Sequence, residues 1–305
     1  MKRRIICAGA VVCDEVYYVD TLPAAGIKIG ASRYEERFGG PAATAAVAIA
    51  NLRGTVSYWG RVGTDPKGDA ALSALRGHGV DCEAVAVVTG GRTRSAVVMV
   101  DNNGERCLVT YRKGLPDDAS LVPADPLAEV AVVLADSRWP VGAETIIARA
   151  SSNGIPSVID MDGGERTETE RLVAKADHVI FSAEGLSDFA GEGSPADQLR
   201  ACGLPSTKVV AVTQGAAGSL WWWHDQLVPV PAFQVKATDT TGCGDVFHGA
   251  YALALCDGLA PLAAARFASA VAAVKAVRGR GWDGMPDRRS VEELLATSDG
   301  GADTR

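Results

Sequence analysis

Residues 239–245 read Asp-Thr-Thr-Gly-Cys-Gly-Asp, a glycine-rich turn with a carboxylate placed where the turn passes into a helix. Phosphoryl transfer asks for that combination. Gly242 and Gly244 lack Cβ atoms, so their backbone N–H groups can approach an anion closely. The apolar run Val246–Leu255 predicts the helix whose positive end faces that anion. Asp245, at the start of that helix, is placed to accept a proton from an attacking hydroxyl. Taken alone the same pattern also suits a plain N-cap aspartate after a glycine turn, and the rest of the chain decides between the two.

The elements that must position this turn are legible as short apolar runs: Ile5–Val12, Val56–Trp59, Val130–Ala135, Ser157–Asp160, His178–Phe181 and Lys208–Thr213. Alanine- and leucine-rich segments of helical character lie between several of them. This alternation predicts an α/β fold, a doubly wound, mainly parallel sheet with helices on both faces. Val16–Tyr34 and Arg94–Tyr111 break the plan and read as alternating strands or hairpins, the second turning at Asn102-Asn103-Gly104, which predicts a small separate β-sheet. Pro41–Leu52 has proline in its first turn and stops before Gly54, the punctuation of a helix. Ala263, Phe267, Val271 and Val274 repeat at helical spacing as core positions. The small, polar end of the chain predicts a disordered tail over 298–305.

With 305 residues and 47% hydrophobic content the chain can bury a large core. A net charge of −7 without any Lys/Arg-dense block argues against nucleic acid or a membrane surface as partner. Seven cysteines without a C-x-x-C pair read as reduced thiols, and the expected compartment is cytoplasmic. Lys2-Arg3-Arg4 before Ile5–Cys13 reads as the start of a buried strand rather than a signal peptide, since the run is short and ends in Asp14-Glu15. No stretch reaches the roughly 18 uncharged apolar residues that span a bilayer.

Three further motifs precede the turn in order: Gly39-Gly40-Pro41-Ala42-Ala43-Thr44, Gly60-Arg61-Val62-Gly63-Thr64-Asp65 with Gly68-Asp69, and Val212-Thr213-Gln214-Gly215 with Gly218. Together with Asp239–Asp245 they resemble the signature regions of the ribokinase-like (PfkB) carbohydrate kinases, and the resemblance runs from Gly9 to Pro286. It implies one ribokinase-like kinase domain over 1–297, with a β-sheet lid formed by about 12–40 and 95–114. It also implies an ATP-dependent transfer to a sugar. On this resemblance Asp245 is the general base, and the N–H groups of Gly242, Cys243 and Gly244 form the anion hole. Asp14 binds sugar hydroxyls beside Gly39, Gly40 and Thr44. The nucleotide lies against Thr213, Gly215, Gly218 and Thr240, with Gly279–Gly284 forming the loop beside adenine. Mg2+ accompanies the ATP, a monovalent cation such as K+ is a further candidate, and lid strands pairing between subunits imply a homodimer.

The chain departs from the family pattern at several positions. Cys243 replaces the usual alanine, Thr44 stands where many members have asparagine, and Phe181-Ser182-Ala183-Glu184-Gly185 lacks the Asn-x-x-Glu linked to magnesium, leaving Glu184 to serve through water. Closer similarity is to one branch, the bacterial 6-deoxy-6-sulfofructose kinases, through residues 14–19, 39–46, 134–139 and 242–250. There Lys28 and Arg138 fall where the branch holds the sulfonate. Thr110 replaces an asparagine near it, and Phe38, in place of a third glycine, is expected to narrow the pocket. The expected reaction is phosphorylation of a ketose at a primary hydroxyl, with sulfofructose first, and fructose, fructose 6-phosphate or ribose as alternatives. A non-catalytic sugar or nucleoside sensor is the reading from a different class.

Overall fold

The computed structural model describes residues 3–125, 127–206 and 208–299. In chain order these form β1 Arg4–Gly9, β2 Val12–Tyr18, β3 Arg33–Gly39, α1 Pro41–Asn51, β4 Thr55–Gly63, α2 Pro66–Gly77, β5 Ala86–Val88, β6 Ser95–Val100, β7 Arg106–Tyr111 and β8 Val130–Asp136. There follow α3 Pro140–Ser152, β9 Ser157–Met161, α4 Arg166–Lys175, β10 His178–Ser182, α5 Ala183–Ala190, α6 Pro195–Ala201 and β11 Val209–Thr213. The chain then forms β12 Ser219–Trp223, β13 Gln226–Val230, α7 Cys243–Cys256, α8 Pro261–Arg278 and α9 Arg288–Asp299.

The main sheet has the order β13-β12-β11-β10-β9-β8-β1-β4-β5. It is parallel from β11 to β5, and β12 and β13 pair antiparallel at one edge. Alternation along β1 feeds two cores: Ile5 and Cys7 face the side covered by α1, α2, α7, α8 and α9, while Ile6 and Ala8 face α3, α4, α5 and α6. All four side chains are at most 2% exposed. Each aliphatic chain so buried contributes about 1.5–3 kcal/mol of transfer free energy before ordering costs, which is why this strand sits at the centre of the sheet.

Strand order reverses between β1 and β8, and that switch point opens the crevice in which ligands of such sheets bind. Here the structure departs from the strand expected over Ile5–Val12. The main sheet loses the chain at Gly9, and after Ala10 and Val11 it enters a second sheet as β2. The reason is Asp136 at the end of β8, whose Oδ2 accepts the N–H groups of Ala10 (2.8 Å) and Ala42 (3.0 Å) and whose Oδ1 accepts that of Arg138 (2.8 Å). Ala42 lies in the first turn of α1, whose N-cap Gly40 has no side chain to cap with. Asp136 therefore supplies from another strand the capping acceptor that α1 lacks.

The second sheet, of order β3-β2-β6-β7, is built from the two segments that break the α/β alternation. Its hairpin turn sits at Asn102–Gly104, with Gly104 at φ 83° and the Asp101 side chain accepting the N–H groups of Asn103 and Glu105. The motif around Gly60–Asp69 proves architectural. Asp65 caps α2 through Gly68 N–H and holds Thr93 by both N–H and hydroxyl, fixing the approach to β6. Sequence pattern did not announce β5 and β13, which are short and only partly buried. At the C-terminus α9 continues to Asp299, two residues into the stretch expected as tail, and residues 300–305 lie outside the described residues. Among the described residues no helix is long and apolar enough to cross a membrane, and all seven cysteines are free.

Candidate active site

The turn before α7 takes the form the sequence predicts, with Gly242 as N-cap in the left-handed region at φ 74° and Asp245 in the first helical turn. A Cβ on Gly242 would stand 3.5 Å from Thr44 Cγ2 and 3.9 Å from Asp245 Oδ2, so the carboxylate hangs over the turn. The expected set of three N–H donors needs one correction. Cys243 N–H is donated to Thr240 O at 3.1 Å, closing the turn on itself. The N–H groups of Gly242, Gly244 and Asp245 have no acceptor among the described residues. They are the donors left to face an anion. Burial pushes the Cys243 thiol up to about 11, so it stays neutral and unreactive near neutral pH.

Asp245 is half-buried as a residue, with its carboxyl group desolvated. Burial raises its pKa, Asp160, Asp162 and Asp136 add to the rise, and His248 opposes it. A base drawn toward neutrality suits proton abstraction from a hydroxyl better than an ordinary aspartate does. His248, which at helical spacing from Asp245 would be read from sequence as a packing residue, belongs to this cluster. It is 3% exposed, its Nδ1 lies 2.9 Å from Asp160 Oδ2, off the ring N–H direction, and Nε2 has no partner among the described residues. Burial disfavours its charge, and Asp160, Asp245 and Asp162 outweigh that and raise its pKa.

A cavity of about 500 Å³ lies between the second sheet and the turn. Alternate residues of the strands line it: Asp14, Val16 and Tyr18 from β2, Val98 and Val100 from β6, Arg106 and Leu108 from β7, and Arg37 from β3. Period-two alternation puts all of them on one face. The pairing Asp14↔Arg37 brings opposite charges side by side. Burial raises the Asp14 pKa and Arg37 counters it. The far wall is Ala237–Thr241. Arg106 Nη1 donates to Thr241 Oγ1 at 2.9 Å, and Arg106 and Arg37 approach the Asp239 carboxylate at 3.7 and 4.0 Å.

A second cavity, of about 320 Å³ and mostly apolar, is lined by Thr213, Gly215, Gly218, Phe233, Thr240, Gly244 and the helix face of Ser269 to Ala276. It gathers Thr213, Gly215, Gly218 and Thr240 as expected. Ala237 and Thr240 line both cavities, which therefore meet at the turn. Gly279 and Gly284 do not line it. A Cβ on Gly284 would come within 1.8 Å of Gly279 O, and one on Gly279 within 3.1 Å of Asp239 Cβ, so this loop packs against the back of the turn.

Other expected residues are placed differently. Gly39 does adjoin Asp14, 3.2 Å from its Oδ2 to a built Cβ, but Gly40, at φ 95°, faces Ala10 O, where a Cβ would stand 2.4 Å away. Its glycine serves chain packing. The Thr44 hydroxyl is buried and accepts the Trp282 indole N–H at 3.1 Å. Phe38 turns from the cavity, its ring 5.8 Å from that of Trp282, so it does not narrow the pocket. Lys28 is exposed on the β2–β3 connection and lines neither cavity. Arg138 is held by Asp162, donating to its Oδ2 at 2.8 Å and its backbone O at 2.9 Å. Thr110 shares a register row with Ala96 and Asp14 but is exposed outside the cavity lining. Glu184 is exposed in the first turn of α5, next to Ser182, which pairs with Thr213.

Comparison with known proteins gives a consistent result. The family described as pfkB family carbohydrate kinase matches residues 2–287. A ribokinase of Bacillus subtilis is 28% identical over 299 residues, covering 96% of this chain and all of the relative. A fructokinase of Vibrio alginolyticus is 32% identical over 227 residues, covering 69% of this chain and 74% of the relative. Among solved structures, Arabidopsis thaliana ribokinase complexed with ribose and ATP superposes with a TM-score of 0.86 at 25% identity, covering 97% and 99% of the two chains.

Proposed function

The chain belongs to the pfkB family of carbohydrate kinases, and from that premise we propose that it transfers the γ-phosphate of ATP to a primary hydroxyl of a ketose, with 6-deoxy-6-sulfofructose as foremost acceptor and its 1-phosphate as product. The observation that carries the reading is the junction of the two cavities at Ala237 and Thr240, immediately before Asp245. An acceptor held by Asp14 in the larger cavity and a triphosphate entering from the smaller one would meet over Gly242. Asp245 takes the proton of the attacking hydroxyl, and the oxygen so freed attacks phosphorus as the bond to ADP breaks. The N–H groups of Gly242, Gly244 and Asp245 stabilise the charge on the transferring group. Positioning and charge stabilisation supply most of the rate in such transfers.

Mg2+ bound with the nucleotide neutralises phosphate charge. No cluster of three or more ligating side chains occurs among the described residues; a cation carried on the triphosphate would be largely hydrated, and Glu184 would be the side chain to meet it through water. An anionic sugar fits the larger cavity through Arg106, whose contact with Asp239 is long enough to yield to a better-placed anion, with Arg37, held by Glu35 at 2.6 Å and by Tyr18, beside it. These two replace Lys28 and Arg138 as the cations in reach. A cytoplasmic homodimer joined through the second sheet completes the reading. Val109 (63% exposed), Tyr34 (47%) and Tyr111 (46%), on the face turned away from the cavity, supply that sheet's open apolar surface. Sedimentation at the monomer mass would remove the dimer.

The test of the acceptor is ADP release with Mg-ATP against sulfofructose, fructose 6-phosphate, fructose, ribose and adenosine. The expected outcome is the highest kcat/KM for sulfofructose, and a drop of about tenfold or more when Arg37 or Arg106 is replaced by Met, the scale of one charge-assisted hydrogen bond. A preference for a neutral sugar would keep the kinase and reject the anionic acceptor. Silence across the panel would favour the sensor.

A further inference from the structure

Arg61 and Lys275 are the cationic side chains buried among the described residues. Arg61 is accounted for by the Trp139 ring under its guanidinium, the Pro116 carbonyl and Asp117. Lys275, 1% exposed in the last turn of α8, has no part in the transfer chemistry described above. Its Nζ donates to Gly279 O at 3.0 Å and has no other hydrogen-bond acceptor among the described residues. Burying an ammonium group is costly without compensation, so its surroundings must explain it.

Those surroundings belong to the phosphoryl-transfer turn. The N–H groups of Thr238 and Asp239 both bond to Ala276 O, at 2.8 and 3.2 Å, so the segment leading into the turn is docked on the end of α8 beside Lys275. Gly279, at φ 58°, brings its Cα against Asp239, and Gly284 closes over the Gly279 carbonyl. The Gly279 carbonyl and the negative end of a helix thus meet Lys275 behind the turn, while the Asp239 carboxylate faces the larger cavity, beyond ion-pair distance of Nζ. Electrostatics agree. Burial lowers the Lys275 pKa, Asp239 works to keep it charged against Arg37, and Lys275 in turn is among the groups that lower the pKa of Asp239.

We infer that the Lys275 ammonium is the fixed cation of the phosphoryl-transfer turn, and that the chain has no need of a mobile alkali cation there. The family resemblance offers K+ as a cofactor, and the residues present do not fit it, because the chain's own ammonium already occupies the space behind the turn and holds the Gly279 carbonyl. Lys275 acts as a positioning residue. By holding the Gly279 carbonyl and countering Asp239 it keeps the backbone of 239–244 in the shape that presents the Gly242 and Gly244 N–H groups. The inference rests on the kinase reading for the role of that turn.

The experiment measures Mg-ADP affinity by calorimetry, without any sugar, in K+, Na+ and tetramethylammonium buffers of equal ionic strength. Turnover with the best acceptor is followed in parallel. For the natural chain, affinity and kcat should agree across the three buffers within about twofold, because a cation that binds no site shifts no equilibrium. Lys275→Met, checked for folding by its thermal transition, should bind Mg-ADP about tenfold more weakly in tetramethylammonium, the scale of one charged hydrogen bond. It should recover with K+ or methylammonium. Stimulation of the natural chain by K+ would overturn the inference whether or not any variant folds. So would a folded Lys275→Met, or the milder Lys275→Gln, that binds and turns over normally without alkali cation. A loss that neither K+ nor methylammonium restores would also overturn it. A wrong choice of acceptor sugar leaves the nucleotide affinities untouched, so the two readings fail separately.

Discussion

Asp245→Asn is expected to lower kcat by about 10²–10⁴-fold, the usual contribution of a positioned general base, with Mg-ADP affinity nearly unchanged. The amide keeps the shape and cannot take the proton. Steady-state turnover and calorimetry on the same preparation check both halves, and full activity in the variant would reject the assigned base. The pH profile offers a second check. Burial and the Asp160, Asp162 and Asp136 carboxylates hold the Asp245 pKa up, with His248 opposing, so the acid limb of kcat/KM should lie well above the ordinary carboxylate range. An acid limb at the ordinary aspartate value would contradict that environment.

The same shift has a stability consequence of opposite sense. A carboxyl group whose folded pKa exceeds its unfolded value binds its proton more tightly in the native state. Stability is therefore highest below the unfolded pKa and falls as pH rises through the window between the two values. Asp245→Asn removes that loss, so the variant should melt higher than the natural chain at neutral and alkaline pH. The gap should close below the ordinary carboxylate range. The base is kept at the expense of fold stability, as catalytic groups commonly are.

Gly9→Ala should destabilise the protein by about 3–5 kcal/mol, the range reserved for core overpacking and broken buried networks. A Cβ there would stand 2.2 Å from both Cγ and Oδ2 of Asp136, at a backbone φ of 155°. The carboxylate cannot retreat without releasing the N–H groups of Ala10, Ala42 and Arg138 together. The break between the two sheets and the start of α1 would loosen in the same event, so kcat/KM should fall along with the chemical-denaturation midpoint. Gly77→Ala is the control. Nothing lies within 4 Å of its Cβ position at the end of α2, and exchange there should be neutral or stabilising by up to about 1 kcal/mol. Equal behaviour of the two variants would dismiss the account of Gly9.

The α/β plan was readable because buried parallel strands are continuous apolar runs, and those around Val130, Ser157, His178 and Lys208 each became a strand of the main sheet. The turn at 239–245 was readable because its glycines and carboxylate are local. What escaped was non-local. Asp136, Asp160 and His248 look like a strand end, a strand end and a helix residue, and only the packing of α7 over β8 and β9 assembles them around Asp245. An aspartate closing an apolar strand, as in Val158-Ile159-Asp160, was the available signal, since sites of such sheets lie at strand C-termini. Arg37 and Arg106 escaped because cross-strand register decides which face of the second sheet they share. Lys28 and Arg138 rest on sequence correspondence alone, and Asp162 pairs with the latter.

The bonds of Arg106 and Arg37 to Thr241 and Asp239 run from the second sheet to the turn that borders both cavities. An acceptor that takes these arginines from Asp239 therefore also alters the turn the nucleotide meets, so each ligand changes the other's affinity, and by one and the same factor.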